Sequence, residues 1–153
     1  MHEEPEKVTG EMKPIYLENE GRKNVLISLL SSNLFFFNYV TWSSCQVVNS
    51  RDFEIDVNFE KMDVGLYEAL GKLGVRLQKD YQKNSTVNVR HYSKRGRSFT
   101  MEKQYFYIKL SKPIIDEIDE LLAKHYGFTE EERDFIINYD IKYRMGDELN
   151  AEE

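Results

Sequence analysis

The stretch Leu66-Tyr67-Glu68-Ala69-Leu70-Gly71-Lys72-Leu73-Gly74-Val75-Arg76-Leu77, followed shortly by Thr86-Val87-Asn88-Val89-Arg90-His91-Tyr92, decides the fold class. In its first part Leu66, Leu70, Leu73 and Leu77 fall at i, i+4, i+7 and i+11, which is one apolar stripe of a helix. Asp63 stands where an N-cap is needed. The second part reads as a strand, and so does Ser98 to Leu110. Between them Lys94-Arg95-Gly96-Arg97 has the make-up of a hairpin turn, with Gly96 supplying a positive φ. Helix followed by hairpin in one reach of chain predicts an α+β fold.

The same stretch carries most of the positive charge. Lys72, Arg76, Lys79 and Lys83 repeat at helical spacing about 100° around the axis from the leucines. From Lys72 to Lys103 there are nine basic residues against two acidic ones, a balance of +7. From Pro113 to the end thirteen acidic residues stand against four basic ones, a balance of −9. The net charge of −6 therefore hides a basic middle. The local patch governs what the surface attracts, because salt screens charges beyond about 8–10 Å.

Upstream, residues 1–13 have no apolar period and read as a flexible arm; a single domain is expected over 14–146. Ile15-Tyr16-Leu17-Glu18 has the look of a short strand. Gly21 opens a helical pattern to about Val40, carried by Val25, Leu26, Leu29, Leu30, Leu34, Phe36 and Phe37. It is apolar nearly all round, which predicts one long, deeply buried helix lying on the small antiparallel sheet. Phe53-Glu54-Ile55-Asp56-Val57 alternates like a half-buried strand. Downstream, a C-terminal helical pair closes the fold. Ser111 with Pro113 begins the first helix and Gly127 ends it. Thr129 with Glu132 makes a capping box for the second, whose apolar face is Phe135, Ile136, Tyr139 and Tyr143. Residues 147–153 read as a frayed acidic tail.

Composition narrows the class. An apolar fraction of 41% over 153 residues suits one folded domain. Cys45 is the sole cysteine, so no internal disulfide forms, and no His or second Cys lies at zinc-ligand spacing. The apolar run Val25 to Trp42 is interrupted by serines and asparagines and is short for a membrane span. A reducing, cytoplasmic setting is expected. No glycine-rich phosphate loop or catalytic triad is present. Asp140-Ile141-Lys142 has a carboxylate-x-lysine spacing but sits in a helical run without a partner carboxylate on a strand, so a solvated face is the simpler reading.

The strongest candidate site is the basic hairpin, where Arg90, His91, Tyr92, Lys94, Arg95, Arg97 and Phe99 mix cations with rings. Phosphates need such cations, a guanidinium also reads guanine, and a two-stranded ribbon fits the major groove. Lys79 and Lys83 are candidate phosphate contacts. Asn49 and Arg51, in the polar loop Cys45 to Asp52, are of the types that pair with base edges. The plainer reading is a solvated hairpin whose charges keep its edges soluble.

The run Ser111-Lys112-Pro113-Ile114-Ile115-Asp116-Glu117-Ile118-Asp119, with His125-Tyr126-Gly127-Phe128-Thr129 and Phe135-Ile136-Ile137-Asn138-Tyr139-Asp140-Ile141-Lys142-Tyr143-Arg144-Met145-Gly146, resembles the C-terminal ending of a bacterial family. That family is the large single-chain type II (type IIG-like) restriction–modification enzymes with adenine-specific DNA methyltransferase activity. Ser31-Ser32-Asn33-Leu34-Phe35-Phe36-Phe37 and Asn49-Ser50-Arg51-Asp52-Phe53 are similar, more loosely, to parts of its target-recognition region.

The resemblance implies a non-catalytic, sequence-reading fragment whose partners are double-stranded DNA and the catalytic methyltransferase half. S-adenosylmethionine is expected only in that missing half. The family's methyl-transfer machinery uses a glycine-rich loop and an Asn/Asp-Pro-Pro-Tyr/Phe motif. Neither occurs here, where the prolines are Pro5, Pro14 and Pro113. A protein-interaction module, docking an acidic partner or the catalytic half through the hairpin, is the alternative expectation.

Overall fold

A computed structural model describes residues 15–43, 45, 59, 62–94 and 96–139, apart from the side chains at 94 and 97. The chain is α+β. In order it forms α1 (Glu20–Ser31), α2 (Asn33–Trp42), α3 (Val64–Lys83), β1 (Ser85–Lys94), β2 (Arg97–Phe106), a 3-10 turn (Ile108–Ser111), α4 (Lys112–Tyr126) and α5 (Glu130–Asn138). The expected strand at Phe53–Val57, the Asp140-Ile141-Lys142 spacing, the N-terminal arm and the acidic tail lie outside the described residues. At 15–17 the backbone has no regular structure, so the strand expected there is absent.

The core is helical. Val25 and Leu29 of α1, Leu70 and Leu77 of α3, and Ile114, Ile115, Ile118 and Leu122 of α4 form one buried cluster. The leucine stripe of α3 is its spine, with Leu66 and Leu73 packed at its margin. Two devices let α1 and α3 approach closely. Gly74 presents no side chain to the Asn24 carbonyl. The buried Ser28 hydroxyl donates to the Leu70 carbonyl at 2.7 Å. Asp63 caps α3 as expected, accepting from Leu66 N at 3.1 Å.

The long helix expected from Gly21 to Val40 is two helices bent by 64°. The break is at Ser32, whose ψ of 153° leaves the helical region. Its Oγ donates to the Leu29 carbonyl at 2.6 Å and accepts from Phe35 N at 3.0 Å, closing one helix and opening the next. Asp119 of α4 completes the new N-terminus: its carboxylate accepts from Asn33 N, Asn33 Nδ2 and Leu34 N at 3.1, 2.6 and 3.2 Å. The deep burial expected for the whole run holds for Val25, Ser28, Leu29 and the hinge residue Ser32, whereas in α2 only Asn33 is buried. Phe35, Phe36, Phe37 and Tyr39 of α2 are half-buried while Trp42 at its end is exposed, and Phe37 meets Phe135 and Tyr139 edge-on at 5.7 and 4.9 Å. Among the described residues no single helix is long and apolar enough to cross a membrane.

A second expectation also changes. The long helix does not lie on the sheet; α1 packs on α3 and α4, and the two-stranded sheet contributes nothing to the buried cluster. β2 was expected to reach Leu110 but ends at Phe106. Its would-be partner beyond Ser85 is already helix, and Tyr107 N–H donates to the carbonyl of Asn84, the C-cap of α3. The chain then turns through Ile108–Ser111 into α4. Ser111 precedes that helix, yet its hydroxyl does not cap it; it donates to Asp80 of α3 at 2.6 Å. Gly127 ends α4 at φ +69°, and Thr129 with Glu132 forms the capping box of α5.

Candidate nucleic-acid interface

β1 and β2 form an antiparallel ribbon of ten residues a strand. At about 3.3 Å per residue it is about 33 Å long. The turn lies between Lys94 and Arg97, and Gly96 there has φ +73°, a conformation open to glycine at little cost. Of the described side chains from 85 to 106, all but Ser85 and Tyr92 are exposed. The ribbon meets the helical body at its base. There Gln104 Nε2 donates to Gln82 Oε1 and Ser85 Oγ, both at 2.9 Å.

The register sorts the ribbon's chemistry by face. Residues paired across the ladder share a face, and the face alternates along each strand. The pairs Thr86 with Tyr105, Asn88 with Lys103, Arg90 with Met101, and Tyr92 with Phe99 therefore lie on one side, and positions 94 and 97 have the same parity. Every lysine and arginine position of the two strands belongs to this face. The other face holds Ser85, Val87, Val89, His91, Ser93, Ser98, Thr100, Glu102, Gln104 and Phe106. On it His91 Nδ1 and Thr100 Oγ1 are 3.0 Å apart. The cationic face also carries Tyr92, Phe99 and Tyr105. Tyr92 and Phe99 stack at 5.4 Å with 16° between planes, and Phe99 and Tyr105 are nearly half exposed.

The predicted residues divide into three groups. Arg90 lies on the cationic face, and Lys94 and Arg97 occupy its last rung before the turn. Lys79 and Lys83 are not on the ribbon. They line an open groove of about 520 Å³ on the flank of α3, with Lys72, Val75, Arg76, Asp80 and Ile114. Arg95, Asn49 and Arg51 lie outside the described residues. Lys103 and Tyr105 join the candidate set from the structure. Their signal was present in the sequence, because Arg97, Phe99, Met101, Lys103 and Tyr105 recur at every second position and so do Arg90, Tyr92 and Lys94.

In chemical terms the face offers point charges and a planar guanidinium for phosphates and base edges, beside rings for stacking. Its lower rungs bring no carboxylate to compete, since Glu102 is on the opposite side. Among the described residues no group of three or more His, Cys, Asp or Glu is arranged to hold a metal ion. No family model, no curated protein and no solved structure matches this chain.

Proposed function

We propose that this chain contacts double-stranded DNA through the cationic face of the ribbon, as the target-recognition part of a restriction–modification adenine methyltransferase. The observation that carries the reading is that the exposed Arg90 and Lys103 share one ring-bearing face of the ribbon, with the register positions of Lys94 and Arg97 falling on the same side. A major groove about 12 Å wide admits a two-stranded ribbon. Arg90 and Lys103, with Lys94 and Arg97 nearer the turn, neutralise phosphates, and the arginines supply the bidentate geometry that reads guanine. The resemblance of Ser111 to Gly146 to type IIG-like enzymes supports the assignment to that system. Methyl transfer and S-adenosylmethionine then belong to the catalytic half, and the setting is cytoplasmic.

The test is fluorescence anisotropy on a labelled duplex across a salt series. Replacing Arg90 and Lys103 together by Ala should weaken binding about tenfold or more and lower the slope of log K against log salt by about 2. Equal affinity and equal slope for the double variant overturn the reading.

A second reading draws on the opposite face. Val87, Val89 and Phe106 are exposed there without a lysine or arginine among them. That surface suits protein better than DNA, so the ribbon docks the catalytic half or another partner. Under this reading Val87→Glu abolishes co-elution with the catalytic half and leaves DNA affinity alone.

A further inference from the structure

We infer that the groove between α3 and the first turn of α4 is a second anion site, built for a linear run of phosphates and separate from the ribbon. Lys72, Arg76, Lys79 and Lys83 fall within about 60° of arc on one helix and span about 16 Å along its axis. They form a row rather than a cluster, which matches a chain of charges better than a single ion. The groove's floor is apolar, from the partly exposed Val75 and the buried Ile114.

Asp80 and Glu117, the acids that border the groove, already have partners, and the exposed Glu68 stands one turn before Lys72 at the end of the row. Asp80 Oδ2 accepts from Asn84 Nδ2 at 2.9 Å and from Ser111 Oγ at 2.6 Å. Glu117 pairs with Arg76 at 2.7 Å and holds that guanidinium at the groove's edge. The first turn of α4 contributes no acidic residue. Among the described residues Lys72, Lys79 and Lys83 have no ion-pair partner. Three ammonium groups beside an apolar floor are therefore open to an anion that touches them in sequence. Two sources share this chemistry: the sugar–phosphate backbone of a nucleic-acid strand, and free inorganic polyphosphate.

The experiment titrates the full chain with three probes and follows backbone amide shifts by NMR. The probes are orthophosphate, a linear polyphosphate of about fifteen units, and an abasic phosphodiester strand of about fifteen units, whose lack of bases removes stacking. Shifts confined to 72–83, produced by a chain probe and not by equimolar orthophosphate, support the site. Polyphosphate alone assigns the free anion; the abasic strand assigns nucleic acid. The triple variant Lys72→Ala, Lys79→Ala, Lys83→Ala leaves the core stripe intact. It should bind the active chain at least tenfold more weakly, with the salt slope for the abasic strand reduced by about 2.

Arg90→Ala with Lys103→Ala should leave these titrations unchanged, which keeps the groove's test separate from the ribbon's. Shifts restricted to 87–103, unchanged affinity in the triple variant, or equal response to orthophosphate overturn the inference.

Discussion

Single atoms decide how closely α1 and α3 approach. A Cβ added at Gly74 would overlap the Asn24 carbonyl oxygen and stand 3.0 Å from Ser28 Oγ. One turn away, a Cβ at Gly71 meets only Val25 Cγ2 at 3.8 Å, an ordinary contact. Gly74→Ala should therefore cost about 3 kcal/mol through forced separation of the helices. Gly71→Ala should gain about 0.5–1 kcal/mol by restricting the unfolded chain. Urea unfolding of the two variants reads the contrast directly.

Asp119 makes a second residue-scale prediction. Burial pushes its carboxyl up to about 6, against the pull of the N–H groups of Asn33 and Leu34 that favour the ionised form. The folded state thus holds this proton more tightly than the unfolded chain, whose ordinary value is 3.8. The resulting stability is fully present below that value and is lost as the pH rises through about 6. A shift of this size corresponds to on the order of 3 kcal/mol. Asp119→Asn should flatten the stability profile between pH 4 and 6 relative to wild type, measured by urea unfolding at each pH. At this scale only the local caps were legible in the sequence, at Asp63, Gly127 and Thr129. The partners of Asn33 and Ser111 lie 86 and 31 residues away, and no local pattern announces them.

At the scale of elements, the sequence showed where α3, α4, α5 and the hairpin lie because each carries a clear period between recognisable stops. It did not show the break in the first helix. Ser31-Ser32-Asn33 is polar but not a helix breaker in itself. The bend depends on Ser32 bonding to both helices and on a carboxylate arriving from α4. The position of the ribbon was equally hidden, since an exposed two-stranded ribbon and a core hairpin can share the same β-rich composition. Its turn is the element's weak point. Gly96→Ala places a Cβ at φ +73° and should destabilise the ribbon by about 1–2 kcal/mol. Hydrogen exchange of the 87–103 amides should then speed up while the α3 amides around Leu70 and Leu77 keep their protection. Equal loss in both would mean that the ribbon and the helical body unfold as one unit.

The whole molecule divides its labour along its sequence. Positive charge is gathered in α3 and the ribbon, negative charge in the helices that follow, and apolar burial in α1, α3 and α4. The two-sidedness of the ribbon also restricts how the protein can change over time. Because facing alternates with each residue, inserting or deleting one residue in a strand, unless a β-bulge absorbs it, reverses the orientation of everything beyond it. A single-residue change near Tyr92 would send the outer cations to the side of Val87 and His91, while a change of two would only shift them along. Natural variants that keep this face should therefore differ in strand length by even numbers, a parity rule that holds whatever the face touches.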